Sequence, residues 1–276
     1  MGSGQRHSVE ARRGWDGKSR AWWSLRPTGR LLLFVHGLGG AATASWRHFP
    51  QLLLDDNDFG GWDFFFYEFD SPRQPAEESA QALYLFLRRM LTDAVYANPD
   101  LPADRARPPS FAYQEIWLVT HGFGAPVARA AALSALAGGD AWYRQLRLIC
   151  FAPATRGTRK ERLAALAEAW TGRLGPLVPA VVRRALAGID DASSGSGFLR
   201  RVLGETEAAV RMGYTRPAVS DLTVFGQGEN VVLYPPEFPF DTPIPDLPNR
   251  DHYSICKPSP GADEPYRLLK QTVGQP

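Results

Sequence analysis

"IWLVTHGFGAPVARAAALSAL", residues 116–136, decides the fold. Its first part is a continuous apolar run that stops at a Thr-His-Gly turn. Its second part is rich in Ala and Leu and stops at Gly138-Gly139. A short apolar run ended by a turn reads as a strand buried on both faces, and the stretch after it as a helix ended by glycine. Strand, tight turn and helix in that order form one unit of a parallel sheet with helical crossovers.

The same alternation continues on both sides. "RLLLFVHG" (30–37), "WDFFFYEFDS" (62–71), "LRLICFAP" (146–153) and "DLTVFG" (221–226) read as further strands. "ASWRHFPQLLLDD" (44–56) reads as a helix broken or kinked at Pro50. "PAEESAQALYLFLRRML" (75–91) is amphipathic, with Pro75, Glu77 and Glu78 suited to its start and Arg88 and Arg89 to its end. "DEPYRLLKQTV" closes the chain as a short helix, and "NPDLPADRARPPS" (98–110) is a loop by its prolines. Between residues 154 and 217 no strand is evident. "KERLAALAEAW", "PLVPAVVRRALAGI" and "GFLRRVLGETEAAVRM" read as helices joined through "DDASSGSG". A helical insertion between two strands suits a lid over a pocket, or a cap that only packs. The expectation is a flexible segment over 1–20 and one α/β domain over 21–276. That domain has a mostly parallel central sheet, helices on both faces and a helical insertion at about 154–217.

Composition narrows the function classes. With 276 residues and 44% hydrophobic content, the chain can bury a large core. A net charge of +2 gives no pull towards nucleic acid. Two cysteines cannot build a disulfide framework, and no metal-ligand spacing is present, so neither a metal nor a cofactor is implied. No run reaches the roughly 18 apolar residues of a membrane span, and the first residues lack the apolar stretch of a secretory signal. A reducing, cytoplasmic setting is expected.

The chemistry lies in the turn. The motif G-x-S-x-G sets a serine on a sharp strand-to-helix bend, exposed at the sheet edge, with a helix N-terminus behind it. Here the aligned residues are Thr120, His121, Gly122, Phe123 and Gly124. Gly124 fits and Thr120 departs mildly. Gly122 departs decisively, because glycine has no nucleophile. Two companions support the motif. "FVHGLGG" (34–40) follows the earlier strand; a backbone N–H there and that of Phe123 can converge on one oxygen. Leu38 is the first donor in this reading and Phe123 the second; the plainer reading of His36-Gly37 is a turn at a strand end. "NRDHYSICKP" (249–258) holds His252 after the last strand, where the order nucleophile, acid, base puts the general base. The other four histidines fall in the expected tail (His7), a helix (His48) or the motifs (His36, His121). The acid belongs between the strand at 221–226 and His252. Glu229 is favoured over Asp241, Asp246 and Asp251, the last being suited to shaping its own loop.

These segments resemble the α/β-hydrolase superfamily, and among it the lipase-like serine esterases similar to GPI inositol-deacylases. The segments that carry the resemblance are "LLFVHGLGG…SW", "IWLVTHGFGAPVAR", "FGQGENVV" and "DHYSICKP". It covers most of residues 30–260 in order, apart from the insertion. It implies cleavage of carboxylic esters, often of lipids, by a serine, histidine and acid; its substrate is a small-molecule ester or lipid. A membrane surface or protein partner could use the apolar faces of the insertion.

Gly122 leaves two readings open. The chain is an ester hydrolase whose serine has been replaced, or a natural pseudoenzyme that holds a lipid, acyl ligand or protein partner in the old pocket. An elbow residue is held in a backbone region that costs a side chain about 1–3 kcal/mol; glycine adopts it freely. Thr120, Ser254 and Cys256 are poorly placed to attack instead. Trp46, Phe123 and Tyr253 are candidate pocket aromatics. The prolines of 235–248 suggest a rigid, exposed connection between acid and base.

Overall fold

Residues 62–67 explain the architecture, because "WDFFFY" is buried at every position. A strand covered on only one face alternates buried with exposed; this one is covered on both. The computed structural model describes residues 7–10, 18–93, 107–171, 187–233, 241, 246–261 and 263–274. Its main sheet has seven strands: β1 (His7–Glu10), β2 (Arg20–Ser24), β3 (Arg30–Val35), β4 (Trp62–Tyr67), β5 (Glu115–His121), β6 (Leu146–Phe151) and β7 (Leu222–Val224). The order is β1-β2-β4-β3-β5-β6-β7. At one edge β2 runs antiparallel to both β1 and β4, and the remaining four pairs are parallel.

Helices cover both faces of this sheet. α1 spans Phe49–Asp55, α2 Ala76–Thr92, α3 Gly124–Ala137, α4 Lys160–Thr171, α5 Ala187–Asp191, α6 Gly197–Arg211 and α7 Glu264–Val273. On one face of β4, Phe65 and Tyr67 meet Phe86 of α2 at ring distances of 4.7 and 5.2 Å. On the other, Phe66 stacks on Phe34 at 4.3 Å, and Phe34 reaches Phe49 of α1 at 5.6 Å. Phe59 joins Phe64 to Tyr266 of α7 on that side. Alternate side chains of one strand thus anchor opposite helical layers.

The connections position the site. From β3 the chain steps to β4 on one side, then returns to β5 on the other. The segments leaving β3 and β5 therefore diverge, and a crevice opens at their carboxyl ends.

Several expectations are corrected. Residues 7–10 fall within the segment expected to be flexible, yet they pair with β2. The unpaired edge of β2 offers backbone donors and acceptors that a short strand can satisfy. His7, assigned to the tail, is buried; its Nε2 donates to the Trp62 carbonyl at 2.9 Å and its ring stacks on Phe64. The helix expected over 44–56 is two pieces, a 3₁₀ turn at Ala44–Trp46 and α1, separated at Arg47 where φ is +51°. Pro50 sits in the first turn of α1, where its missing N–H leaves no bond unmade. α3 begins two residues after Gly122. β2, and a two-stranded parallel pair β8 (Gly226–Gly228) and β9 (Leu247–Asp251), were not expected. The described residues of the insertion form α4, α5 and α6 with no named strand. Most of "PLVPAVVRRALAGI", most of the loop at 98–110 and most of the proline-rich connection lie outside the described residues.

Candidate active site

The strand β5 ends at His121 and turns at Gly122, whose φ is +52°. Glycine takes this left-handed conformation without a Cβ penalty. The turn is fastened on three sides: Gly122 N–H donates to the Phe151 carbonyl at 3.0 Å, and its own carbonyl accepts from Ala125 at 3.2 Å and Ala154 at 2.9 Å. Gly124 has a different reason to be glycine. A Cβ there would lie 2.4 Å from the His36 carbonyl oxygen and 2.5 Å from that of Val35. Only a bare backbone lets α3 descend onto the end of β3.

The acid and base leave two paired strands. In the parallel pair, Gly226 faces Leu247 and Gly228 faces Asp251. Glu229 is the next residue after β8, and His252 the next after β9. A Cβ on Gly226 would lie 2.2 Å from the Arg250 carbonyl oxygen, so the small residue permits the close approach. His252 Nδ1 donates to Glu229 Oε2 at 3.0 Å. The other carboxylate oxygen accepts from Val231 N–H at 2.8 Å and Val232 N–H at 3.0 Å. Burial pushes the Glu229 carboxyl up, but His252 and these two N–H groups outweigh it and hold its pKa below the ordinary value. The second ring nitrogen, Nε2, lies 3.3 Å from the place a Cβ on residue 122 would take.

Gly122, His252 and Glu229 are therefore brought together. Of the competing acids, Asp241 pairs with Arg129 at 2.5 Å and accepts from Ser220 N–H. Asp251 caps its own turn, accepting from Tyr253 and Ser254. Asp246 stands at the opposite end of β9 from His252.

The loop after β3 supplies the facing wall. His36 is fully buried; Nδ1 donates to the Gly37 carbonyl at 2.8 Å and Nε2 accepts from Phe69 N–H at 3.4 Å. Burial, partly offset by the bond to Gly37, pushes its pKa down to about 4, so the ring is neutral. At 3.8 Å the Glu68 carboxylate forms no ion pair with a neutral ring whose facing nitrogen is already an acceptor. Ser71, which sequence reasoning read as the end of the strand over 62–71, lies beyond that strand, is 1% exposed and braces both neighbours of Leu38. Its Oγ accepts from Gly39 N–H at 2.9 Å and donates to the Gly37 carbonyl at 3.3 Å. Among the described residues, the N–H groups of Leu38 and Phe123 have no protein acceptor. Both residues line one cavity of about 310 Å³ together with His121 and His252.

His121 is the second residue that sequence reasoning passed over. It is buried and its Nε2 donates to the His252 carbonyl at 2.8 Å. Thr120, Ser254 and Cys256 are all engaged elsewhere. Thr120 Oγ1 donates to the Ile149 carbonyl at 3.0 Å, inside the sheet. Ser254 Oγ is bound to Asp251 at 2.6 Å. Cys256 is buried, and burial pushes its thiol up to about 12. The insertion touches the site at two points: Thr158 lines the cavity, and Phe198 of α6 meets Phe123 at a ring distance of 5.9 Å. Among the described residues no cluster of His, Cys, Asp or Glu is placed to hold a metal ion. No described helix is long and apolar enough to cross a membrane.

No protein-family model matches the chain, and no curated protein sequence matches it. Solved structures do match. A monoacylglycerol lipase from Paleococcus ferrophilus is 14% identical with a TM-score of 0.52, over 92% of this chain and 97% of its own. An α/β hydrolase enzyme from the metagenome of sediments of the Mar Chica lagoon, Morocco, is 13% identical with a TM-score of 0.52, over 96% of each chain. Esterase B from Lactobacillus rhamnosis, in a phosphonate-inhibited form, is 11% identical with a TM-score of 0.51, over 98% of this chain and 86% of its own. The chain has the α/β-hydrolase fold. Structures of similar fold include lipases and esterases.

Proposed function

We propose that the chain is an ester hydrolase of the lipase and esterase kind, disarmed at its nucleophile. The observation that carries this reading is one line of contacts. Glu229 holds Nδ1 of His252 at 3.0 Å, and Nε2 lies 3.3 Å from where a side chain on Gly122 would begin. A carboxylate behind an imidazole fixes its tautomer and stabilises the imidazolium that forms when it takes a proton. Such a couple has a use only if it faces an acidic O–H, and here the position it faces is bare.

With serine at 122, the hydroxyl would attack an acyl carbonyl while His252 Nε2 accepts its proton. The N–H groups of Leu38 and Phe123 would receive the oxyanion, and Ser71 would hold the first of them in place. The proton on His252 would pass to the leaving alcohol, and water would release the acyl group by the reverse sequence. The insertion, through Thr158 and Phe198, borders the acyl pocket and serves as its lid. Its outer surface is where a membrane or protein partner would dock. The finer resemblance to GPI inositol-deacylases rests on the sequence segments alone and directs the substrate search towards lipid esters. A cytoplasmic location belongs to the same proposal.

The test is Gly122→Ser, assayed on p-nitrophenyl butyrate and octanoate and labelled with a fluorophosphonate. The expected result is hydrolysis and labelling that disappear when His252→Ala is added. A folded Gly122→Ser protein that does neither removes the disarmed-enzyme reading. The second reading, a binding protein that keeps glycine by use, is supported by the +52° φ of Gly122, which costs glycine nothing and leaves open space beside His252.

A further inference from the structure

The cavity beside Gly122 is lopsided in charge. Among the described residues no Asp or Glu lines it, whereas Lys257 does. Among the described residues Lys257 has no acidic partner within ion-pair distance. Its charge reaches the buried end of the cavity, since it is one of the groups holding His121 neutral, after burial and His252. The carboxylate of Glu229, beside His252, is turned away: one oxygen takes His252 Nδ1–H and the other takes two backbone N–H groups.

The deep end is furnished with donors. The His252 side chain is 9% exposed, and Nε2 has no hydrogen-bond partner among the described residues. Nδ1 already donates its hydrogen to Glu229, so a bond donated from Nε2 makes the ring an imidazolium. The unpartnered N–H groups of Leu38, in the loop after β3, and of Phe123, at the start of the 14-residue helix α3, belong to the same lining. Apolar surface in the lining comes from Leu38, Ala41, Ala44, Phe123, Val231 and Val232.

Resting on the reading above, and deepening it, we propose that the protein as it stands binds a free carboxylic acid, with its carboxylate beside Gly122 and its acyl chain along the apolar wall. One carboxylate oxygen takes the space vacated by a nucleophile's side chain and accepts from Nε2 of His252. The other accepts from the N–H groups of Leu38 and Phe123. Glu229 and the bound carboxylate are then balanced by His252 and Lys257. A neutral amide or alcohol of the same length leaves the charge of Lys257 unanswered. Charge-assisted hydrogen bonds favour the acid over both.

The test is calorimetric titration of the intact chain with sodium octanoate, octanamide and 1-octanol at constant ionic strength. Octanoate is expected to bind at least about tenfold more tightly than octanamide. Lys257→Met, which keeps the stem and removes the charge, should weaken octanoate by about fivefold to tenfold and leave 1-octanol unchanged; Lys257→Arg should retain the preference. Equal affinity for octanoate and octanamide, no binding of octanoate, or a preference untouched by Lys257→Met would each overturn the proposal. Thermal melts of both variants separate loss of fold from loss of charge. The two readings fail separately. Esterase activity in Gly122→Ser without any preference for octanoate removes only this inference. A preference for octanoate without activity in Gly122→Ser removes only the disarmed enzyme.

Discussion

Nε2 of His121 donates to the main-chain carbonyl of His252 at 2.8 Å, so the residue before the elbow glycine grips the base from behind. The two rings stand 4.7 Å apart. Burial first, and the charge of His252 second, keep the His121 pKa well below its ordinary value. His121 therefore remains neutral with its hydrogen on Nε2, a positioning residue that does not compete for the proton.

His121→Phe keeps the bulk of the ring and removes the donor. Placed on Gly122→Ser, it is expected to lower kcat for p-nitrophenyl octanoate by about tenfold or more with little change in KM, because the base loses its register while the acyl pocket stays. His121→Gln, which can still donate, should recover part of the loss. Steady-state kinetics of the three proteins decide it; equal kcat values would reduce His121 to packing.

Two glycines two positions apart should respond differently to the same methyl group. Gly122→Ala meets nothing closer than 3.3 Å and bears only the cost of a left-handed backbone, about 1–3 kcal/mol. Gly124→Ala drives a Cβ to 2.4 Å from a backbone oxygen, which only a shift of α3 or β3 relieves. Denaturant unfolding should rank Gly124→Ala clearly below Gly122→Ala in stability. The reverse ranking would mean that α3 is not seated on β3 as described.

The connection between β8 and β9 is tied to α3 by a buried pair. Arg129 and Asp241 are 2% and 1% exposed and 2.5 Å apart. Arg129→Met leaves the carboxylate buried beside Ser220 and should cost roughly 3–5 kcal/mol in unfolding free energy. Adding Asp241→Leu should restore much of it, since a matched apolar pair leaves no charge behind. A double variant no more stable than the single one would refute the coupling.

Acid should weaken the fold as the pH falls through the ordinary histidine range. His36 and His121 are neutral when folded, but both gain a proton in the unfolded chain below about pH 6.5. The unfolded chain then binds more protons, so stability is complete above that pH and falls as pH drops towards the folded values. For His36, with a folded pKa of about 4, the loss reaches roughly 3 kcal/mol by pH 4. Urea midpoints measured from pH 7 to 4.5 should fall steadily, and less steeply in His36→Gln. A midpoint that stays level across that range would show that neither ring is as dry as described.

The strands at 30–35, 62–67 and 115–121 were legible because a strand covered on both faces is an unbroken apolar run, and few other structures are. The meeting of Glu229 with His252 was legible for a different reason: in the proposed reading, chain order limits where an acid and a base can fall. β8 and β9 were invisible. "GQG" and "LPNRD" contain residues that disfavour strands, and they pair because Gly226 lets the two backbones approach. β1 lay hidden in a polar stretch whose pairing depends on a distant edge. His121 occupies a motif position for which no residue type is prescribed, and Ser71 closes a segment that reads as strand but leaves it after Tyr67. Their roles arise from contacts across 131 and 34 residues of chain, respectively, which no local pattern reports.

The parallel pair β8–β9 sets Glu229 and His252 side by side through main-chain pairing alone, and nothing in that pairing involves residue 122. Selection can therefore act on the reactive atom and on its support separately. Because one base change can interconvert glycine and serine codons, a lineage built on this scaffold can silence its chemistry, or recover it, in one generation without first rebuilding the machinery around it.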